Sequence, residues 1–230
     1  MKQAVVLFGS PGSGKGTQAK LLKNCLQVPH VSTGDMLREH IREGNSLGVK
    51  VATTMSAGTL VRDDVVNHLV EERLAEPDAQ NGFILDGYPR TRAQAQHLCG
   101  WLDGRGIREV VIHLIVDYNI IVTRLTGRRQ CPRCGTLYNI VSHPPRVEGV
   151  CDLDGEQLVI RDDDRESVIR QRLAEYESQS RPLIEFFREQ GRRLYEIDAS
   201  EQTPEGLLFQ VCRTIKSPEA GEPAAPAGRG

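Results

Sequence analysis

Residues Ala4-Val-Val-Leu-Phe8 run straight into Gly9-Ser-Pro-Gly-Ser-Gly-Lys-Gly-Thr17, and this stretch decides the fold. The short apolar run reads as a buried strand, and Gln18, Ala19, Lys20, Leu21 and Leu22 continue as an amphipathic helix. Between them lies a loop with glycines at 9, 12, 14 and 16. Backbone N–H groups of such a loop, together with a helix N-terminus, form a cradle for polyphosphate oxygens. Lys15 adds a charge where β- and γ-phosphates would lie, so Gly12, Ser13, Gly14, Lys15, Gly16 and Thr17 form a predicted nucleotide-phosphate site. The pattern is G-x-x-x-x-G-K, but Gly16 stands where a hydroxyl is expected and Thr17 follows one residue later. Direct ligation of Mg²⁺ by a loop hydroxyl is therefore not assured.

At 230 residues the chain suits one α/β domain with insertions, or two small domains. A net charge of −2 gives no electrostatic footprint for nucleic acid or an anionic membrane. Arginine greatly outnumbers lysine, which suits planar recognition of phosphates. No apolar run approaches a membrane span, and a first strand beginning almost at once leaves no room for a signal peptide. Three of the six cysteines cluster at metal-ligand spacing, whereas Cys25, Cys99 and Cys212 read as packed thiols. A reducing cytoplasm is the expected compartment.

Gln27–Ser32 reads as a second strand leading into Thr33-Gly-Asp-Met-Leu-Arg38, which is either an anion site or an N-cap followed by an exposed arginine. Gly44, Gly48 and Gly58 punctuate short helical pieces up to Val61, and Asp63 and Asp64 begin the next helix. Gly82-Phe-Ile-Leu-Asp86 is an apolar strand ending in an acid, the position from which Asp86 would hold Mg²⁺ directly or through water. Arg90 follows Gly87-Tyr-Pro at the carboxyl end of the sheet, where open α/β folds bind ligands. A helix over Thr91–Leu102 carries Gln94, and Glu109–Val116 is the fourth strand, with His113 as a core histidine. Tyr118–Thr126 is helical; Arg124, Arg128 and Arg129 at its end would also complement the helix dipole. Arg161-Asp-Asp-Asp164 precedes a long helix. There Asp163 and Glu166 could form a capping box, and at most one of Arg170 and Arg172 can face a ligand. Arg192–Asp198 is the fifth strand and Pro204–Ile215 the last helix, followed by a tail predicted to be disordered over 217–230.

Cys131-Pro-Arg-Cys134 and Cys151-Asp-Leu-Asp154 are paired turns at the spacing of a zinc ribbon. Asp154 reproduces the second position of the first pair, so the predicted ligands are Cys131, Cys134, Cys151 and Asp154. Leu137, Tyr138, Ile140, Val141, Val147 and Val150 would form a small β-rich module around a structural Zn²⁺. Reduced, metal-free cysteines or a disulfide are the competing readings.

The chain resembles adenylate kinases over essentially all of residues 1–215. The resemblance is carried by GSPGSGKGTQ, STGDMLR, GFILDGYPRT with Gln94, RLTGRR, and RDDD with the R-x-R that follows. The C-x₂-C…C-x₂-D insertion resembles the zinc-bearing lid of the long bacterial form. The resemblance implies a phosphate-binding-loop α/β fold with a five-stranded parallel sheet. It divides the chain into a core of residues 1–31, 62–126 and 165–216, an AMP-binding insertion over 32–61, and a lid over 127–164. It also implies a monomer that transfers the γ-phosphoryl of MgATP to AMP, giving two ADP. The ATP side would use the loop with Arg124 and Arg128. The AMP and phosphate side would use Thr33, Arg38, Thr59, Val61, Gly87, Arg90, Gln94, Arg161 and Arg172, with Gln94 at the adenine edge. Lys15, Arg38, Arg90, Arg128, Arg161 and Arg172 would stabilise the transferring group, while Asp163 and Asp164 would orient arginines. Gly34, Gly87 and Gly127 are hinge candidates. The alternatives are a kinase for CMP or UMP or with GTP as donor, a nucleic-acid-dependent ATPase with a zinc ribbon, and a purely structural phosphate-loop regulator.

Overall fold

Strand β1 (Gln3–Gly9) is the middle of a five-stranded sheet, and its pleat sends alternate side chains into two separate cores. Ala4, Val6 and Phe8 join one cluster; Val5 and Leu7 join the other. The structure, a computed structural model, describes residues 3–216, and the expected disordered tail lies outside the described residues. Along the chain, β1 is followed by α1 (Lys15–Leu26), β2 (His30–Ser32), α2 (Thr33–Glu43), α3 (Ser46–Ser56) and α4 (Asp63–Leu74). Then come β3 (Gly82–Asp86), α5 (Arg92–Asp103), β4 (Arg108–Ile115) and α6 (Tyr118–Thr126). The short strands β5 (Arg128–Gln130) and β6 (Leu137–Asn139) precede α7 (Glu166–Glu175), α8 (Leu183–Glu189), β7 (Leu194–Asp198) and α9 (Pro204–Lys216).

The large sheet has the order β2-β3-β1-β4-β7, with all neighbours parallel. Parallel strands need helical crossovers, which cover both faces and require near-continuous apolar strands. Helices α4, α5 and α8 cover one face through Val66, Leu98 and Phe187; α1 and α9 cover the other through Leu22 and Val211. In register, Leu7 and Ser32 both lie opposite Asp86. That alignment brings the Gly9 loop, Thr33 and Gly87 to one carboxyl edge.

Several expectations need correcting. Strand β2 is confined to His30–Ser32, because Gln27 takes a left-handed conformation that ends α1. Strand β7 begins at Leu194 rather than Arg192. The helix expected after Asp164 is present as α7 and is extended by a π-turn over Tyr176–Ser180, and α8 opens after Pro182. No capping box opens α7, since Glu166 pairs with Arg170 and Asp163 with Arg161. Cys25 is exposed rather than packed, with its Sγ 3.3 Å from Cys212 Sγ. His113 is the expected core histidine, bonded to Glu196 at 3.1 Å and Tyr176 at 2.9 Å.

Gly48, expected to punctuate the helical pieces, instead lies inside α3, where this helix meets α2. A Cβ at 48 would stand 2.0 Å from the His40 carbonyl oxygen, so only glycine permits this approach. Gly48→Ala should force the two helices apart and lower stability by about 1–3 kcal/mol, the usual cost of overpacking. The urea midpoint at unchanged m-value measures this.

Candidate active site

Helix α1 starts in the phosphate loop itself. Gly14 occupies its N-cap at φ 95°, a left-handed conformation that spares glycine the penalty of a Cβ. Lys15 folds back across the loop, and its Nζ donates to Gly9 O and Ser10 O at 2.7 Å each and to Ser13 Oγ at 3.3 Å. Burial lowers its pKa to about 7; the nearby Asp86 opposes this, while Arg90, Arg172 and Arg128 reinforce it. A Cβ on Gly16 would lie 3.3 Å from Asp86 Oδ2, so the glycine after the lysine brings the loop close to this acid. The same Asp86 oxygen is 3.3 Å from His30 Nε2.

One cleft of about 950 Å³ runs along the carboxyl edge of the sheet. Every residue expected from the sequence to meet nucleotide lines it. They are Gly12 to Thr17, Arg124 and Arg128, then Thr33, Arg38, Thr59, Val61, Gly87, Arg90 and Gln94, and also Asp86, Arg161 and Arg172. Ser32, not Thr33, caps α2, accepting from Asp35 N; Thr33 Oγ1 is free to donate to Gly87 O at 2.9 Å. Arg90 Nε donates to the same carbonyl at 2.8 Å. Arg124 Nη2 bridges to Ala199 O and Ser200 O, tying α6 to the end of β7.

The arginines are held by carboxylates. Asp163 forms ion pairs with Arg161 at 2.9 Å, Arg172 at 3.2 Å and Arg38 at 3.7 Å. Asp164, whose side chain is fully buried, accepts from Arg128 Nε at 2.6 Å and from Arg172 Nη1 at 3.0 Å. Burial would raise the Asp163 pKa, but Arg172, Arg161 and Arg38 hold its carboxyl far below the usual range. Burial lowers the Arg172 pKa to about 10, which leaves it charged near neutrality. Arg170 instead pairs with exposed Glu166 on the outer face of α7.

The paired turns also meet. Cys131, Cys134, Cys151 and Asp154 offer ligand atoms all within 4.8 Å of one another. Each turn repeats the same geometry: Gly135 N donates to Cys131 O and Gly155 N to Cys151 O, both at 3.0 Å. The expected apolar module around them is much smaller than read from the sequence. Tyr138 is buried with Cys131 and Cys151, but Ile140, Val141 and Val147 are exposed.

Some lining residues were missed. Asp35 holds Arg38 from three residues upstream, a helix spacing that was visible in the sequence. Gln202 to Glu205 line the cleft beyond β7, where the strand-end rule would have found them. Thr136, Leu137, Tyr138, Asn139, Ser142 and His143 also line it, with no motif of their own to give them away.

A parallel sheet with a glycine loop, a strand-end acid and converging arginines defines a phosphate-binding-loop nucleotide phosphotransferase. An adenylate kinase family model matches residues 7–192. The chain is similar to the adenylate kinase of Anaeromyxobacter sp. strain Fw109-5, 46% identical over 93% of this chain and 99% of that protein. It is similar also to those of Moorella thermoacetica (47% identical, over 89% and 94%) and Oceanobacillus iheyensis (48% identical, over 92% and 97%). The chain belongs to the adenylate kinase family, and so to the ATP:AMP phosphotransferases.

Lys15 gives this site a pH signature. A bound polyphosphate favours the ammonium form and raises a pKa that burial had depressed to about 7. Binding of ATP at pH 8 should therefore take up a proton, on the order of half to one per site, and weaken as pH rises further. Calorimetry in buffers of different ionisation enthalpy reads this, and Lys15→Met should abolish it.

Proposed function

We propose that the two sides of the cleft hold MgATP and AMP at once, and that the arginines between them carry the transfer. The observation behind this reading is the convergence of Lys15, Arg38, Arg90, Arg128, Arg161 and Arg172 on one cleft. An AMP phosphate oxygen attacks the γ-phosphorus of ATP while the bond to the β-phosphate oxygen breaks, leaving two ADP. AMP phosphate is already anionic near neutrality, so the nucleophile needs no general base. The demand is electrostatic: negative groups must be brought together and a loose, metaphosphate-like transition state stabilised.

In this reading the loop from Gly12 to Thr17 cradles the β- and γ-phosphates, with Lys15 turning from its carbonyl partners toward them. Arg124 lies beside the ATP adenine and Arg128 over the phosphates. Thr33, Arg38, Thr59, Val61, Gly87, Arg90 and Gln94 surround AMP, and Arg161 and Arg172 reach both phosphate chains. Asp86, already against Gly16, would hold Mg²⁺ through water, and the ion would supply charge neutralisation to the β- and γ-oxygens. Segments 32–61 and 127–164 close over the core formed by 1–31, 62–126 and 165–216, with Gly34, Gly87 and Gly127 as hinges. Closure keeps water from taking the place of AMP.

The donor set of the clasp suits zinc. Tetrahedral thiolates at the usual metal distance stand about 3.8 Å apart. Cys134 and Cys151 Sγ are 3.6 Å apart, and Cys131 Sγ lies 3.3 Å from Asp154. A closed set of four leaves no position for substrate, so the ion would be structural. The reading includes a cytoplasmic monomer engaging neither nucleic acid nor membrane. Its support is the net charge of −2 and the commitment of three cysteines to a ligand cluster. No helix among the described residues is long and apolar enough to cross a membrane. Neither another acceptor base nor a GTP donor is favoured by relatives that carry the name adenylate kinase.

With MgATP supplied, ADP should accumulate only when AMP is added, at two ADP per ATP consumed. ATP turnover without AMP, or stimulation by DNA or RNA, would overturn the assignment. Arg172→Ala should lower kcat by about 10²-fold or more with the fold intact. Elemental analysis should find one zinc per chain, and Cys131→Ser should lose it; a metal-free preparation with a protease-resistant 127–164 segment would refute the clasp.

A further inference from the structure

Gln94 lies in the first turn of α5, only 2% exposed, with its amide held at both ends. The backbone N–H of Arg90 donates to its Oε1 at 2.7 Å, and its Nε2 donates to Asp63 Oδ1 at 2.7 Å. The other oxygen of Asp63 accepts from Thr91 Oγ1 at 2.8 Å, and Thr91 caps α5. Asp63 is the first residue of α4 and does not itself line the cleft.

These partners leave the amide no choice of orientation. A backbone N–H can only donate and a carboxylate can only accept. Flipping Gln94 would set NH₂ against N–H and oxygen against carboxylate, two mismatches in a buried place. The held orientation leaves one lone pair on Oε1 and one hydrogen on Nε2 for a ligand.

We propose that Asp63 is a specificity-determining positioning residue: by preventing the Gln94 amide from flipping, it admits a 6-aminopurine acceptor and rejects a 6-oxopurine. The inference rests on the reading that Gln94 meets the acceptor base. Adenine presents an N6–H donor beside the N1 acceptor, which pair with the free lone pair and the free hydrogen. Hypoxanthine presents an O6 acceptor beside an N1–H donor, the reverse order, and pairs only with a flipped amide. Asp63 and the Arg90 N–H each oppose that flip, so a 6-oxopurine must leave its edge unpaired. Loss of such pairing is what gives polar sites their discrimination.

Asp63→Asn tests the lock with little change of shape. Asparagine can turn either an oxygen or an NH₂ toward Gln94, so only the Arg90 N–H still opposes the flip. Initial rates with MgATP and either AMP or inosine monophosphate should show the AMP/IMP ratio of kcat/KM falling about tenfold. The change should come from a lower KM for IMP, with KM for ATP unmoved. Asp63→Ala should move the ratio in the same direction. An unchanged ratio in folded Asp63→Asn would overturn the proposal and leave Asp63 a link between α4 and α5. Gln94→Ala separates the two levels. If it raises KM for AMP and erodes discrimination while Asp63→Asn changes nothing, the lock alone fails. If it affects neither, the base contact fails and the lock with it.

Discussion

Asp163 lies within ion-pairing distance of Arg161, Arg172 and Arg38, and the rest of the cleft depends on that crowding. Buried guanidinium groups repel one another and lose hydration, so a cluster of them stands only where carboxylates share the space. Asp163 and Asp164 link arginines drawn from distant parts of the chain: α2, β5, the segment before α7, and α7 itself. The carboxylates thereby fix in advance where each cation stands. Bound phosphates would find the arginines already gathered, with little ordering left to do. Burial depresses the Lys15 pKa, and the nearby Arg90, Arg172 and Arg128 add to that depression.

Two local devices keep this assembly at the sheet edge. In the large sheet, register places Ser32, Asp86 and Leu7 side by side, so consecutive βα turns open onto the same cleft. In the segment between α6 and α7, the apolar core is little more than Tyr138, Cys131, Cys151 and part of Leu158. So small a cluster cannot balance the conformational entropy of the residues it would order, whereas a metal held by the four proposed ligands would.

Much of this was legible in the sequence because it is written locally. The glycine loop, the strand ending at Asp86 and the two cysteine turns each lie within a few consecutive residues, and their chemistry follows from spacing. Helix geometry allows only one of Arg170 and Arg172 to face the cleft, and the family resemblance, not the spacing, selected Arg172. Pairings across the chain were not legible. Nothing in the sequence ties Asp63 to Gln94, and the expectation that Asp163 and Asp164 orient arginines came only through the family resemblance, because such contacts exist only once helices pack. Gly48 misled for a related reason: a glycine needed for close helix contact looks the same in sequence as one that ends a helix.

The absent side chain at position 16 is as much a part of the site as the acid it approaches. A Cβ there would already be 3.3 Å from the Asp86 carboxylate, and a hydroxyl one atom further out would contend for space that the acid fills. In this chain the glycine leaves the gap between loop and strand to the Asp86 side chain, so what position 16 contributes to the site is room.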